Sequence, residues 1–468
     1  MPFSENLWFL IILFSAIGIL FLLVLGFKVH AFIALLIVSI VTGLLAGMEP
    51  RNLLITIQEG MGGTLGYIAV IVGLGAIFGK ILEHSGGAEA LSHQLLARFG
   101  EKNAPWALTL TGFIIAIPVF FDVGFIILVP VLYSLSRKTG KSLLFYGIPL
   151  LAGLAATHSF IPPTPGPVAV ADIIGANLGW VILLGFAVGV PVVILAGPLF
   201  GTFISKRIIV NPPAESTDTS RLASLKDSYT EAGSKSGHQS GYPAFRLIVI
   251  IIGTPLVLII LNTVTSVLVN RQVFEVGLWS EIFIFIGHPF SALIIATLAA
   301  MYFLGIRRGT NKKILQEISN DALGPAGIII LVTGAGGVLK QVLVDSGMGD
   351  QLAQAVAASP VNPLFLAWFI AAVVRVTQGS ATVAMITAAG ILSPVLPAFH
   401  LSDAQMALVV IAIASGATIL SHVNDSGFWL VGKYLRMDEK QTLQSWTIME
   451  TIIAVAGLLF AWILFRLF

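Results

Sequence analysis

Long apolar runs alternate with short polar loops along the whole chain. Residues 7–27 form an uncharged run, and a second apolar run at 29–48 follows it at once. Each run is long enough to cross about 30 Å of hydrocarbon as a helix. No small-residue cleavage site follows the first run, so we interpret it as a retained span and not a signal peptide. The pattern predicts an all-α polytopic membrane protein that crosses the bilayer about ten times.

One stretch interrupts this pattern. Residues 206–243 contain adjacent prolines, several Ser, Thr and Gly residues, and charges of both signs. Such a composition is typical of a flexible polar loop and too polar for a hydrophobic core. It divides the chain into a first half, 1–205, and a second half, 244–468.

The two halves resemble each other. Residues 27–35 match 285–293, which makes His30 and His288 equivalent, and 75–91 match 336–352. Polar and glycine positions recur in the same order at a nearly constant offset, as in many secondary transporters built from repeated halves. We interpret both histidines as interface anchors, and the amphipathic stretches 89–99 and 351–358 as surface helices.

Basic residues predict which loops face the cytoplasm. They cluster in five places: Arg98/Lys102, Arg137/Lys138/Lys141, Lys206/Arg207, Arg307/Arg308/Lys312/Lys313 and Lys433/Arg436/Lys440. The loops near 48–60, 160–178, 345–360 and 394–403 carry few or no basic residues. These four are therefore expected outside, with both chain termini periplasmic and the 206–243 loop cytoplasmic.

Two apolar stretches begin and end on one predicted side. The stretch 105–135 lies between basic loops, and 361–393 lies between loops without Lys or Arg. Both are interrupted by polar residues, which predicts helical hairpins that enter from opposite faces. The fold is then two inverted repeats, each of five transmembrane helices and one re-entrant hairpin, with broken helices at 143–177 and 403–435. Twelve plain crossings remain the alternative.

The composition excludes several functional classes. The chain is 57% hydrophobic and 10% charged, and its net charge of +2 gives no reason to expect nucleic acid. It has no cysteine, so disulfides and thiolate metal sites are not expected. We find no nucleophile–base spacing and no metal motif that would indicate an enzyme.

Polar residues within membrane spans are costly, and they mark candidate sites. The first candidate is Asp122, in the tip 118–124 of the first hairpin. It is a candidate proton carrier. Alternatively, or in addition, it caps the following half-helix by accepting backbone N–H bonds.

The second candidate is 157–167, with four prolines within 162–167. Prolines cannot continue a helix, so a half-helix is expected to begin near Pro167, and its N-terminus suits an anion. We assign Thr164 and Gly166 to substrate binding and His158 to proton coupling. An external loop without function is the alternative.

The third candidate is the tip of the second hairpin, where Arg375 needs a counter-charge. A substrate carboxylate could supply it through two parallel hydrogen bonds, or Asp122 or Asp425 could pair with it structurally. The other candidate binding residues at this tip are Gln378, Gly379, Ser380 and Thr382.

The fourth candidate lies in 418–427, where hydroxyl, imidazole, amide and carboxylate groups are concentrated in an apolar crossing. Such a set can bind a polyhydroxylated ligand or relay protons, but it falls short of a usual metal site. Its candidate binding residues are Ser421, His422, Asn424 and Ser426, and its candidate proton carrier is Asp425.

These segments resemble a known family. The runs PVFFDVGFIILVPVLY, PPTPGPVA, QGSATVAMITAAG and HVNDSGFWL are similar to those of the gluconate permease (GntP) family of proton symporters. The resemblance implies transport of sugar acids, or D-serine in one branch, with the proton as coupling ion. It also implies an elevator-type fold, with a mobile domain of hairpins and broken helices on a dimeric scaffold. Two positions differ: the family often has Glu where this chain has Asp122, and many relatives have His where it has Thr164.

Taken together, these observations predict a secondary active transporter that imports gluconate or a related sugar acid with protons across the bacterial inner membrane. We expect Arg375 and the half-helix N-termini near Pro167 and Ser380 to hold the carboxylate, and Asp122 or Asp425 to take the proton. A sodium-coupled carboxylate transporter of the same architecture, or a D-serine or hydroxy-acid permease, is the alternative.

Overall fold

A computed structural model describes residues 22–212, 242–270, 272, 273, 275–348 and 361–468, together with 11, 12, 15, 16 and 18–20. Most of the 206–243 loop, the expected surface helix at 351–358 and much of the first apolar run lie outside these residues. The described residues are helical, with connecting turns and no strand. The prediction of an all-α protein is confirmed for them.

The first half contains nine α-helices, counted over the described residues. They are α1 (Ala31–Leu45), α2 (Pro50–His84), α3 (Gly87–Phe99), α4 (Ala104–Ile115), α5 (Phe121–Thr139), α6 (Leu144–Phe160), α7 (Pro165–Ile174), α8 (Leu178–Ile194) and α9 (Phe200–Ile204). A π-helical turn, Leu195–Leu199, makes α8 and α9 one continuous rod, and the helix predicted at 89–99 is α3.

The described part of the second half contains ten α-helices. Its helices are α10 (Phe245–Asn270), α11 (Leu278–Gly287), α12 (Pro289–Ala300), α13 (Lys312–Asp345), α14 (Pro363–Gln378), α15 (Ala381–Leu392), α16 (Asp403–Gly416), α17 (Ser426–Tyr434), α18 (Glu439–Thr442) and α19 (Ile448–Phe465). The π-helical turn Leu443–Thr447 joins α18 to α19.

Seven helical stretches in the described part are long and apolar enough to cross a membrane. They are Pro50–His84, Leu144–Ile174, Leu178–Ile204, Phe245–Asn270, Pro289–Arg308, Lys312–Asp345 and Glu439–Phe465. Shorter apolar helices include α14, α15 and α16. The protein is therefore built to be embedded in a membrane, and the count of ten crossings stays a prediction.

The equivalent histidines have the same local structure. His30 caps α1 and His288 caps α12, and in each case Nδ1 accepts the backbone N–H two residues on at 3.3 Å. Their backbone angles agree within 1° (φ −59°, ψ 137° and φ −58°, ψ 136°). An N-cap satisfies an otherwise unpaired N–H of the first turn, which gives the matching histidines a structural role.

Close helix packing holds the first hairpin against the core. Gly112 of α4 and Gly153 of α6 face each other's backbones, and a Cβ on Gly153 would lie 2.7 Å from the Phe113 nitrogen. Small residues allow such close approach of helices in membranes. Glu101, before α4, forms an ion pair with Lys138 near the end of α5. The two ends of the hairpin therefore lie close to each other.

Candidate functional site

The two interruptions of the first half lie side by side. The break between α4 and α5 and the break between α6 and α7 contribute residues 117–120 and 163–165 to one small cavity. Residues 72, 75 and 76 of α2 complete its lining. The fold thus brings together two segments that are about 40 residues apart in the chain.

The break between α6 and α7 is buried. Residues 161–164 are all shielded from solvent, unlike an external loop, which would run over the surface. Thr164 is the N-cap of α7, but its hydroxyl donates to the carbonyl oxygen of Ile161 at 2.7 Å. Gly166 faces the second hairpin, where a Cβ would lie 2.9 Å from the sulfur of Met385. The break is therefore not an exposed surface loop.

His158 lies in the last turn of α6, next to this break. Its ring centroid is 6.2 Å from that of Phe120 at the first hairpin tip. Within the described residues, its buried Nδ1 atom has no hydrogen-bond partner.

Asp122 lies in the first turn of α5 and is exposed. The N-cap of α5 is Phe120, so the alternative in which Asp122 caps this half-helix is wrong. Asp122 is close enough to Asp425 for the two carboxylates to repel each other. The neighbouring Phe121 ring lies 5.4 Å from the ring of Trp446. The first hairpin tip therefore reaches the polar segment of the second half.

Arg375 and Asp425 form the central ion pair. The Nη2 atom of Arg375 is 2.5 Å from Oδ2 of Asp425, and the side chains are 3% and 12% exposed. Arg375 also donates through Nη1 to the carbonyl of Gly379. Its Nε atom has no hydrogen-bond partner in the part of the chain that the structure describes. The structural pairing that the sequence left open, between Arg375 and Asp425, is present here.

Asp425 is also hydrogen-bonded on both of its oxygens. Oδ2 accepts from Ser421 Oγ at 2.5 Å, and Oδ1 accepts the backbone N–H of Gly427 at 2.9 Å, which caps α17. Ser421 in turn accepts from Trp446 Nε1 at 2.6 Å. Both oxygens of Asp425 are therefore occupied by partners within the protein.

Hydrogen bonds fasten the second hairpin tip to the break between α16 and α17. Asn424 donates to the carbonyl of Val376 at 2.9 Å, and His422 Nε2 lies 3.0 Å from the same oxygen. Gly379 has φ +87°, and a Cβ there would lie 2.7 Å from the carbonyl carbon of Asn424. Glycine is needed here both for the left-handed conformation and for the close approach.

The remaining predicted binding residues, in this tip and at the start of α17, differ in whether their polar atoms are free to bind a ligand. Ser380 caps α15, accepting the N–H of Val383 at 3.4 Å, and Thr382 is half-buried. The buried Oε1 atom of Gln378 lacks a hydrogen-bond partner among the described residues. Ser426 is exposed at the start of α17. Gln378 and Ser426 are therefore better placed to meet a ligand than the fully bonded Ser421.

Two residues of this cluster were missed in the sequence analysis. Trp446 supports Ser421, and Glu450 follows one helical turn later, 3% exposed. Glu450 interacts electrostatically with Arg375 and Asp425. It is the single acidic residue in the apolar run 448–465, and that signal could have identified it.

The sequence comparisons identify the family. A profile of the family described as "GntP family permease" matches residues 8–468. The chain belongs to the GntP permease family. This permease is 42% identical to the "Low-affinity gluconate transporter" of Escherichia coli (strain K12), over 98% of this chain and 99% of that relative. It is 40% identical to the "Gluconate permease" of Bacillus subtilis (strain 168), over 95% of this chain and 96% of that relative.

Structural comparison shows the same type of fold in a solved transporter. The YdaH transporter of Alcanivorax borkumensis superposes with a TM-score of 0.61 at 16% identity. The match covers 93% of this permease and 97% of that chain. Family membership, and not this structural match, shows that the chain is an integral membrane transporter and not an enzyme, as its sequence predicted.

Proposed function

We propose that this GntP permease imports gluconate or a closely related sugar acid together with protons across the bacterial inner membrane. Its relatives support the substrate, since proteins about 40% identical over nearly the full length are gluconate transporters or permeases. The polar cluster around Arg375 supports an anionic substrate, because a buried guanidinium with an unpartnered Nε is built to hold a carboxylate.

The proposed binding step is an exchange of partners at Arg375. The guanidinium is held by Asp425 at 2.5 Å, and an incoming carboxylate competes for it. Asn424, Ser426 and Gln378 then meet the sugar hydroxyls, and the N-termini of α7 and α15 face the anion with their positive dipole ends. This partly replaces the predicted roles of Ser421 and Thr164, whose hydroxyls are already bonded within the protein.

The proposed transport mode is that of an elevator with inverted repeats, working as a homodimer. The sequence match of 27–35 with 285–293 and the matching caps at His30 and His288 support repeated halves. The ion pair between Glu101 and Lys138 supports a hairpin whose ends share one face. Both chain termini are placed in the periplasm and the 206–243 loop in the cytoplasm, following the basic loops.

Uptake by purified protein in sealed vesicles tests this proposal. We expect labelled gluconate to accumulate when the outside is acidic relative to the inside, and not when a sodium gradient alone is imposed. Protein-free vesicles are the control, and unlabelled L-idonate and D-serine are the competitors. Accumulation driven by a sodium gradient alone would show that sodium, and not the proton, is the coupling ion. If labelled gluconate does not enter the vesicles, the proposed substrate is refuted.

A further inference from the structure

The polar cluster around Arg375 contains more negative than positive charge. Three carboxylates, Asp122, Asp425 and Glu450, act electrostatically on one another or on one guanidinium, that of Arg375. The single positive charge of Arg375 can neutralise one carboxylate, and it is paired with Asp425 at 2.5 Å. The other two carboxylates need solvent, a proton or another cation, because an isolated charge in a low-dielectric interior is costly.

The two remaining carboxylates differ in their burial within the protein. Asp122 is exposed at the protein surface. Glu450 is 3% exposed and lies within an apolar helix. In the described part of the chain, its carboxylate has neither a hydrogen bond nor an ion pair. Glu450 is therefore the carboxylate for which binding a proton relieves the largest cost.

The surroundings of Glu450 offer few other charges. α19 packs against α6, α8, α14 and α16. α14 contributes Arg375, and the break before α17 contributes Asp425 and His422. α8 carries no titratable side chain, α16 carries Asp403 at its first residue, and α6 carries Tyr146 and His158. Arg375 and Asp425 are the groups that act on Glu450.

We propose that Glu450 is the proton-carrying residue of this permease and that it couples the proton to the substrate through Arg375. The inference rests on the proposed sugar-acid symport. An ionised Glu450 and a substrate carboxylate both draw on the field of the same guanidinium. Protonation of Glu450 removes one competitor and thereby strengthens anion binding, and by reciprocity a bound anion strengthens proton binding.

The position of Glu450 explains how its charge reaches the binding residues. Trp446, in the π-helical turn Leu443–Thr447, precedes it by four residues, about one helical turn. Trp446 binds Ser421, which binds Asp425, which pairs with Arg375. Glu450 is not bonded to this network, so a change of its charge acts through space on Arg375 and Asp425, at the end of the network that forms the proposed carboxylate site.

Substitution of Glu450 separates coupling from binding. Glu450→Gln mimics the protonated state permanently, so we expect it to keep exchange of labelled for unlabelled gluconate across vesicles. We expect accumulation driven by a pH gradient to fall at least tenfold. In the unsubstituted protein the affinity for gluconate should fall as pH rises, and in Glu450→Gln it should become independent of pH. Glu450→Asp restores the carboxylate and should restore both pH-driven accumulation and pH dependence.

Glu281→Gln is the matched control, since Glu281 is an exposed carboxylate on α11, and it should behave as the unsubstituted protein. Accumulation or pH dependence unchanged by Glu450→Gln would overturn the proposal. If Glu450→Gln is not recovered as folded protein, Glu450→Asp decides: its pH profile should shift, and an unshifted profile counts against Glu450.

A spectroscopic measurement keeps this test independent of the substrate. Infrared pH-difference spectra of the purified protein should contain a carboxylic acid C=O band that Glu450→Gln removes and Glu281→Gln retains. Failure of the unsubstituted protein to transport gluconate would refute the proposed function alone. A band that survives in Glu450→Gln would refute the role of Glu450 even if gluconate transport holds.

Discussion

The ion pair between Arg375 and Asp425 provides the sharpest test of the site. Arg375→Gln keeps a polar side chain but removes the charge, and it leaves Asp425 buried without its partner. Removal of one member of a buried ion pair costs about 3–5 kcal/mol, most of it from the uncompensated charge. The unfolding entropy of about 2.1 cal/mol/K per residue makes 1 kcal/mol worth about 1 °C for a chain of 468 residues. The expected loss is therefore about 3–5 °C in the apparent Tm.

The assay is thermal unfolding of detergent-solubilised protein, followed by tryptophan fluorescence at one fixed scan rate. Lys80→Gln is the matched control, because Lys80 and Glu83 form a more exposed pair at 2.8 Å, with side chains 31% and 19% exposed. Such pairs contribute about 0–1 kcal/mol, so the control should shift the apparent Tm by about 1 °C or less.

The double variant Arg375→Gln/Asp425→Asn tests whether the two charges act on each other. It removes both charges at once, so its loss should be smaller than the sum of the two single losses by at least about 1 kcal/mol. Additive losses, or an Arg375→Gln shift no larger than that of Lys80→Gln, would refute the view that the pair is a buried and coupled unit.

Two further predictions concern close backbone approach. Gly153→Ala places a Cβ 2.7 Å from the Phe113 nitrogen and should lower stability by about 1–3 kcal/mol. Gly66→Ala is the control, because nothing lies within 4 Å of the added Cβ; it should be neutral or raise stability by up to about 1 kcal/mol. Equal Tm shifts for Gly153→Ala and Gly66→Ala would contradict the close packing of α4 on α6. Gly379→Ala (φ +87°) should abolish uptake, since it also forces the hairpin tip away from Asn424. Gly347→Ala (φ +72°, with open space around it) should keep uptake, and loss in both variants would attribute the effect to backbone strain alone.

The hydrophobic pattern by itself determined the class of protein and the places where its helices are interrupted. Long uncharged runs have no stable alternative to membrane helices, and the prolines at 162–167 cannot continue one. The observed breaks before Phe121, Pro165, Ala381 and Ser426 fall within the predicted segments for this reason. The motifs in these segments also identified the family correctly.

Only the tertiary structure decided which polar groups meet. Arg375 could have paired with a substrate, with Asp122 or with Asp425, because sequence spacing does not tell how helices 50 residues apart pack together. α14 packs beside the break between α16 and α17, and this packing places Arg375 in an ion pair with Asp425. In the same cluster Ser421 donates its hydroxyl hydrogen bond to Asp425. Glu450 shows the same limit: a single acid in an apolar run has no local partner to reveal its role, and only the fold places it beside Arg375.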